Sequence, residues 1–272
     1  NGVPTFAYPE QAVKAFRYQA NFKSTSTKKI KNDGRHPKHK VAKSVIKFSG
    51  NQMDSVKLSK ILELYDIDMA EVRLARSKKE AAKAIEEIAP PVVMKISSPD
   101  IIHKTDVGGV ILGVKNGKEA EDAFEKIINN VKKNDPGARI DGVTVMETAH
   151  EGLELIIGAK RDRVFGPVLM FGFGGILVEL ISDYSLVIGP FDRSKIKKLI
   201  YETKAAKIID GYRSSKKYSR KAVEDVLLNL GRLITDHPEI ESVEINPLVL
   251  SDTGRGALGL DAKIKINQNV LE

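Results

Sequence analysis

Lys95 ends the apolar run Val92-Val-Met-Lys, and His103 follows on a polar stretch beside Lys104, between Asp100 and Asp106, with Gly108 and Gly109 closing the segment. A lysine that emerges from a buried strand must reach water or an anion, and phosphate is the usual partner for such a point charge. The glycine pair permits a tight turn or a close backbone approach. Three roles are open to His103: a solvated loop side chain, a phosphate ligand through a protonated ring, or a nucleophile that carries phosphoryl. Near the other end, Asn246 lies in Glu244-Ile-Asn-Pro and Asp261 in Gly259-Leu-Asp-Ala, on either side of a turn at Ser251-Asp-Thr-Gly254. Two strands joined by that turn bring Asn246 and Asp261 together on one face, where hard oxygen donors suit Mg2+ bridging phosphates. The plainer reading is an Asn before a proline and an Asp paired with a lysine. Together, Lys95, Asn246 and Asp261 form the minimal charge set for phosphoryl transfer, which depends on positioning and electrostatics.

These residues must be held by a mixed α/β framework. Apolar spacing predicts a helix over 54–65 with Asp54 as its cap, a strand over 70–75, and a helix over 77–88 with Ser77 and Glu80 as a capping box. Buried strands over 91–96 and 109–114 and a helix over 120–132 complete an α/β opening. From residue 140 the pattern turns to short strands, 143–147, 153–159, 167–171 and 176–181, read as hairpins. Helices over 193–202 and 219–235 follow, then strands over 242–250 and 257–266. The expected architecture is an α/β lobe, about 51–139, and an α+β lobe, about 140–272, with a cleft between them.

Charge marks a further boundary. The 272 residues carry a net charge of +8, and residues 22–48 hold nine Lys and Arg against the single acid Asp33. The rest of the chain is neutral. That Ser/Thr/Lys-rich stretch is poor in apolar side chains, so residues 23–50 read as a solvated basic linker able to hold polyanions without specificity. Residues 1–22 read as a short strand and an amphipathic helix, too short for a core of their own. No cysteine is present. Disulfides and thiolate chemistry are thereby excluded, and a reducing cytoplasm fits. No apolar run is long enough to span a bilayer, so no membrane association is expected. The histidines His36, His39, His103, His150 and His237 show no zinc-ligand spacing. The chain begins at Asn1, which suggests a processed product or a piece of a longer protein.

Several motifs then act in combination: the stretch 91–109, Glu154-Leu-Ile-Ile-Gly-Ala-Lys-Arg-Asp162 with Phe165-Gly-Pro, Phe171-Gly-Phe-Gly-Gly175, Gly211-Tyr-Arg213 and Glu244-Ile-Asn-Pro. From about residue 54 to residue 266 the chain resembles the nucleotide-binding, ATP-grasp part of the ADP-forming acyl-CoA synthetases, relatives of succinyl-CoA synthetase. Residues 2–22 resemble the closing segment of that family's CoA-ligase region. The resemblance implies a two-lobed ATP-grasp fold with a central, mostly antiparallel sheet. It implies an acid–thiol ligase moiety serving the reaction acyl-CoA, ADP and phosphate to carboxylic acid, CoA and ATP through phosphohistidine. ATP or ADP and Mg2+ are the implied cofactors. The implied partner is a CoA-binding and ligase (α-like) domain or subunit, which would supply the acyl substrate within an oligomer, with no specific nucleic acid.

Residue by residue, the resemblance implies that Lys95 contacts nucleotide phosphates, with Ser97, Ser98, Gly108 and Gly109 on the same nucleotide-covering loop. Glu147 falls at the adenine-holding hinge, and Glu154 where an acid helps to bind nucleotide. Asn246 and Asp261 would hold Mg2+. His103 matches the histidine proposed to take phosphoryl from an upstream phosphohistidine, and Asp106 is expected to orient its ring. The departures are Ser214-Ser-Lys-Lys217 after the Gly-Tyr-Arg turn and the Pro90-Pro91 pair. Two rival readings remain: an ATP-grasp carboxylate ligase without a histidine relay, and a nucleotide-binding regulatory domain without turnover.

Overall fold

The computed structural model describes residues 9, 13, 36–49, 53, 55–101, 103–148, 151–175, 183–212, 218–252 and 256–267. The chain divides into two units, Asn1–Gly34 and Arg35–Glu272, and every element named below belongs to the second. The expected end of an upstream domain over 1–22 lies outside the described residues, apart from Pro9 and Val13, both helical and exposed.

Alternation within one strand sets the first layer. In β2 (Val92–Ser97), Val92, Met94 and Ile96 point into a core while Val93, Lys95 and Ser97 take the opposite face. In β4 (Gly142–Glu147), Val143 and Val145 share that core, and Thr144 and Met146 fall beside Val93 and Lys95. With β1 (Val72–Ala75) and β3 (Val110–Val114) they make a four-stranded antiparallel sheet in the order β1-β4-β2-β3. Two helices, α3 (Lys78–Glu87) and α4 (Gly117–Asn134), cover only the core face, burying Ala81, Ala84 and Ile85 from one and Ala120, Ala123, Ile127 and Val131 from the other. The Ser77 side chain caps α3 by accepting the Glu80 amide, while the Glu80 carboxylate reaches back to the Arg76 amide.

The second layer is larger. Strands β5 (Gly152–Asp162), β6 (Gly166–Phe173), β7 (Tyr184–Ile188), β8 (Ile240–Ser251), β9 (Ala257–Gly259) and β10 (Ala262–Ile266) form an antiparallel sheet in the order β10-β8-β5-β6-β7, with β9 paired to β8. Leu155, Ile157, Leu169, Phe171, Val243 and Ile245 pack beneath α1 (His39–Ser49), α2 (Ser55–Leu64), α5 (Arg193–Tyr201), α6 (Ala205–Ile209) and α7 (Arg220–Asp236). A smaller cluster of Ala70, Val72, Val93 and Met146, with Leu258 and Leu260 against it, joins the two sheets.

Four expectations change. Residues 39–49, read as part of a solvated linker, form α1, with Ala42 and Ile46 fully buried in the larger core. The spacing of Ala42, Val45 and Ile46 makes one apolar stripe, while Lys38, Lys40 and Lys43 stay exposed. Abundant lysine concealed that stripe in a reading by composition. At the start of α1 the His36 amide donates to Asp236 at 2.9 Å and the His39 ring stacks on His237 at 4.6 Å, against a polar knot in which the Tyr65 hydroxyl meets His237 Nε2 at 2.9 Å and Glu239 bonds His237 Nδ1 at 2.9 Å. Second, β4 lies inside the first sheet, so the first lobe runs to Glu147 and not to 139, and α2 packs in the second lobe's core. Third, the expected strand over 257–266 is two strands, interrupted at Leu260 and Asp261. Fourth, β7 and α6 had no counterpart in the sequence reading. The strand expected over 176–181, the cap Asp54 and the departure at 214–217 lie outside the described residues.

Candidate functional site

The open face of the first sheet and the β5–β8 corner of the second enclose a cleft of about 630 Å3, lined by Val93, Lys95, Met146, Glu147, Glu154 and Pro247 among others. That volume lies within the range of small-molecule and cofactor pockets. Below it, a cavity of about 50 Å3 is lined by Ser55, Ser59, Ser97, Thr144, Lys104 and Asp261, with Lys95 on the wall common to both.

Lys95 reaches the cleft because of its register. It pairs with Thr144 across β2 and β4, and the Thr144 hydroxyl donates to the Lys95 carbonyl at 3.1 Å, fixing the backbone from which the side chain projects. Burial lowers the Lys95 pKa below the ordinary lysine range; Asp261 opposes the shift and the like charge of Lys104 adds to it. Among the described residues Lys95 has no ion-pair partner.

Between β2 and β3 the described residues 98–101 and 103–109 form an anchored loop. The Asp100 carboxylate accepts from the Arg139 side chain at 2.7 and 3.0 Å and from its amide at 2.8 Å, which holds the Asp100 pKa down to about 2. On the return, Asn134 and Asn130 of α4 donate to the carbonyls of Val107 and Gly108. A Cβ at Gly109 would stand 2.7 Å from Ile96 Cγ2 and 2.9 Å from the Lys104 carbonyl, so this position needs glycine for close packing. Gly108 and Gly109 therefore shape the loop, and neither lines the cleft. His103 and Asp106 are exposed on the turn, linked through the Asp106 amide and the His103 carbonyl at 3.3 Å, and they too lie outside both linings. Ser97 lines the small cavity, whereas the Ser98 hydroxyl accepts the Asp100 amide at 3.2 Å.

Oxygens come from both sheets, Glu147 from the first and Glu154 and Asn246 from the second. Glu147 ends β4, where its amide donates to the Glu71 carbonyl and its carboxylate accepts the Glu71 amide. Glu154 lies on β5, and its carboxylate stands over Gly175. The Gly175 amide donates to Asn246 Oδ1 at 3.2 Å, so Glu154 and Asn246 converge on one glycine. A Cβ at the adjacent Gly174 would fall on the Leu155 backbone, which explains the small residue there. The Asn246 amide donates to the Asp261 carbonyl at 3.0 Å, continuing the pairing of Ile245 with Ala262. That register sets the two residues opposite one another, as cross-strand neighbours on one face.

The structure thus brings Lys95, Glu147 and Glu154 to the cleft and Lys95, Ser97 and Asp261 to the smaller cavity, whereas Asn246, Ser98, His103, Asp106 and the glycine pair line neither. Sequence reasoning missed Lys104, Thr144, Met146 and Leu260 as lining residues. Alternation along 143–147 was the available signal for Thr144 and Met146, once that strand is set beside β2.

Comparison with known proteins gives the family. The profile of the ATP-grasp domain matches residues 45–266. An ADP-forming acetate–CoA ligase I of Archaeoglobus fulgidus is 37% identical over 260 residues, covering 93% of this chain and 38% of its own length. The β subunit of an ADP-forming acetate–CoA ligase I from Pyrococcus furiosus is 40% identical over 204 residues, covering 75% of this chain and 87% of that subunit. A solved structure of acetyl-coenzyme A synthetase 1 from Ca. Korarchaeum cryptofilum, in complex with coenzyme A, Ca-AMPCP and HgCl+, superposes with a TM-score of 0.77 at 35% identity, covering 85% of this chain and all of that one. The chain spans 38% of the Archaeoglobus relative and 38% of a 4-hydroxybutyrate–CoA ligase from Nitrosopumilus maritimus. No helix among the described residues is long and apolar enough to cross a membrane. With the cleft, its lysine and its paired oxygens held as they are between two antiparallel sheets, this chain belongs to the ATP-grasp domain family of the ADP-forming acetate–CoA ligases.

Proposed function

We propose that the chain is the nucleotide-binding moiety of an ADP-forming acyl-CoA synthetase, in which acyl-CoA, ADP and phosphate are exchanged for carboxylic acid, CoA and ATP. The observation that carries this reading is the cleft of about 630 Å3 with Lys95 and Glu147 on the wall made by the first sheet and Glu154 on the wall made by the second. Lys95 sits where a desolvated cation meets nucleotide phosphates. Glu147 and the chain beside it bound the adenine end.

Asn246 and Asp261 are proposed to hold Mg2+. The described residues contain no cluster of three or more acidic or histidine ligands, yet a carboxylate from the link between β9 and β10 and a carboxamide of β8, joined by the Asn246 main-chain amide and the Asp261 carbonyl, fit the usual Mg2+ set of one or two protein oxygens completed by phosphates and water. When bound, the ion neutralises charge on those phosphates. A CoA-binding and ligase partner, as a fused domain or a subunit, supplies the acyl substrate, and we place the assembly in the cytoplasm. His103, exposed on the loop above Lys95, accepts a phosphoryl group from a phosphohistidine of the partner and passes it to ADP, an N–P bond breaking as the O–P bond of ATP forms.

A thermal-shift titration with Mg-ADP tests the nucleotide site: a rise in Tm that grows with ligand supports it, and no rise defeats it. Labelled ATP with the assembled partner tests the relay. If His103→Ala keeps both label and turnover, the reaction proceeds without that histidine, as in a carboxylate ligase that forms acyl phosphate directly.

A further inference from the structure

Of residues 103–106 in the loop between β2 and β3, His103, Thr105 and Asp106 are exposed, whereas Lys104 is half-buried and lines the smaller cavity together with Lys95. The backbone imposes this arrangement. The Lys104 carbonyl accepts the Gly109 amide at 2.8 Å, the Thr105 carbonyl accepts the Gly108 amide at 3.0 Å, and Asn130 holds the Gly108 carbonyl at 3.0 Å. A Cβ at Gly109 would crowd the Lys104 carbonyl at 2.9 Å, so the turn that directs Lys104 inward closes only around glycine. The chain thus turns two neighbours apart: the histidine outward, where a partner can reach it, and the lysine towards Lys95.

A lysine in a surface loop ordinarily extends its ammonium into water. Lys104 instead shares a space of about 50 Å3 with a second lysine, close enough for its charge to oppose the Lys95 ammonium. Among the described residues neither lysine forms an ion pair, and Asp261, the proposed metal ligand, pairs with neither. Two cations held near one another in this way cost free energy until an anion comes beside them. Phosphoryl transfer draws on such fixed charge, because the moving group spreads its negative charge over three equatorial oxygens. Position then separates the two lysines. Lys95 lines both the nucleotide cleft and the cavity, whereas Lys104 lines the cavity alone and follows directly on the proposed phosphoryl carrier.

We propose that Lys104 is a catalytic residue of the His103 relay, its ammonium holding the oxygens of the phosphoryl group while that group passes from His103 to ADP. The inference rests on the relay reading given above. In this step an oxygen of the terminal phosphate of ADP supplies the electron pair of the new O–P bond, and the pair of the breaking N–P bond returns to the imidazole. Phosphoryl is never released, and no proton has to move. Lys95 grips the acceptor and Lys104 the group in transit. Because the turn is pinned, the phosphorylated ring approaches by rotation of its own side chain, and the lysine beside it is already in place.

The test is a single-turnover chase with the assembled synthetase, this chain together with its CoA-binding and ligase part. His103 is loaded with labelled phosphoryl from acyl-CoA and labelled phosphate, and Mg-ADP is then added. Lys104→Ala is expected to slow transfer of label to ADP about 100- to 1,000-fold, the scale of one fixed group lost from a transition state. The ADP concentration that gives half the maximal rate should stay within about threefold of the parent, because Lys104 lies outside the cleft. Lys104→Arg, which keeps the charge, should recover about tenfold or more of the loss, and Lys104→Met none of it. A chase in Lys104→Ala within about threefold of the parent, with His103 loaded to the parent's level, would overturn the proposal. So would a loss that a higher ADP concentration restores, since Lys104 would then bind nucleotide and not the group in transit. Equal losses in the Arg and Met variants, with unfolding unchanged, would do the same. A parent that binds Mg-ADP but never carries label on His103 would defeat the relay reading itself and this assignment with it, an outcome distinct from failure of Lys104 alone.

Discussion

The two walls of the cleft are built in opposite ways. The four-stranded sheet contributes the cation Lys95 from within β2, together with Glu147, and beside it Lys104 lines the smaller cavity from a loop pinned by side chains of α4 and Arg139. The larger sheet contributes oxygens set by its backbone pairing: Glu154 lines the cleft, Asp261 lines the smaller cavity, and Asn246 accepts from the Gly175 amide. Each wall also has its own core, and among the described residues a small apolar cluster and the backbone bonds of residues 68–70 to β9 join the two. The difference teaches that the parts of the site can be altered independently: side chains set by strand register, Lys95 among them, resist displacement with the sheets that carry them, whereas Lys104 depends on a few loop anchors that single substitutions remove.

The sharpest way to break that contrast is to damage one wall through its backbone. Gly174→Ala forces a methyl onto the Leu155 main chain. A loss of about 3 kcal/mol in unfolding free energy is expected, as for overpacking in a closed core, with Mg-ADP binding lost alongside. Ile46→Ala in α1 strikes the same core from its far side. Ile46 is fully buried, so chemical denaturation should show a loss of about 2–4 kcal/mol, with amide protection in β2 less affected than in β5. Equal loss in both strands would show the two cores to be one unit.

A subtler test acts on charge. Lys95→Ala should reduce Mg-ADP affinity by about one to two orders of magnitude, the scale of a lost charged hydrogen bond, while thermal stability hardly changes. In the parent protein, a bound phosphate favours the ammonium form that burial disfavours. Affinity should therefore be full at neutral pH and fall as pH rises through the lowered Lys95 pKa, below the ordinary lysine value of 10.5. Lys95→Arg, which stays charged, should remove that alkaline limb.

The smallest effect concerns the loop anchor. Asp100 titrates near 2 in the folded protein against 3.8 for an ordinary aspartate. Because its folded value is depressed, the contribution of this ion pair is present above about 3.8 and is lost as pH falls through about 2. The His103 ring, observed by NMR, should shift in that window, and Arg139→Ala should abolish the change. The group is exposed, so global stability should barely respond.

How much of this was legible beforehand follows from which interactions were local. Capping at Ser77 and the alternation that turns Lys95 outward are written within a few residues, and both stand in the structure. Asn246 and Asp261 could be paired because a turn between neighbouring strands fixes their register. The partner of β2 could not be read, because β4 returns to it only after α4, and strand order is a tertiary choice. The same limit placed the lobe boundary too early. In α1 the difficulty was different: two buried residues among many lysines weigh little in composition, yet they decide where the helix goes. The small cavity had no local signature, since its serines, its lysines and its aspartate come from separate parts of the chain.

The seam between the lobes has one more consequence. Residues 68–70 lie against β9, with the Ala70 amide donating to the Gly259 carbonyl, the Gly259 amide to the Asp68 carbonyl, and Met69 forming a parallel bridge with Gly259. These two amides straddle the line along which the sheets would part. Their exchange with deuterated solvent would time each opening of the cleft, giving the protein a built-in clock that needs neither label nor substrate and would slow when the jaws are held shut.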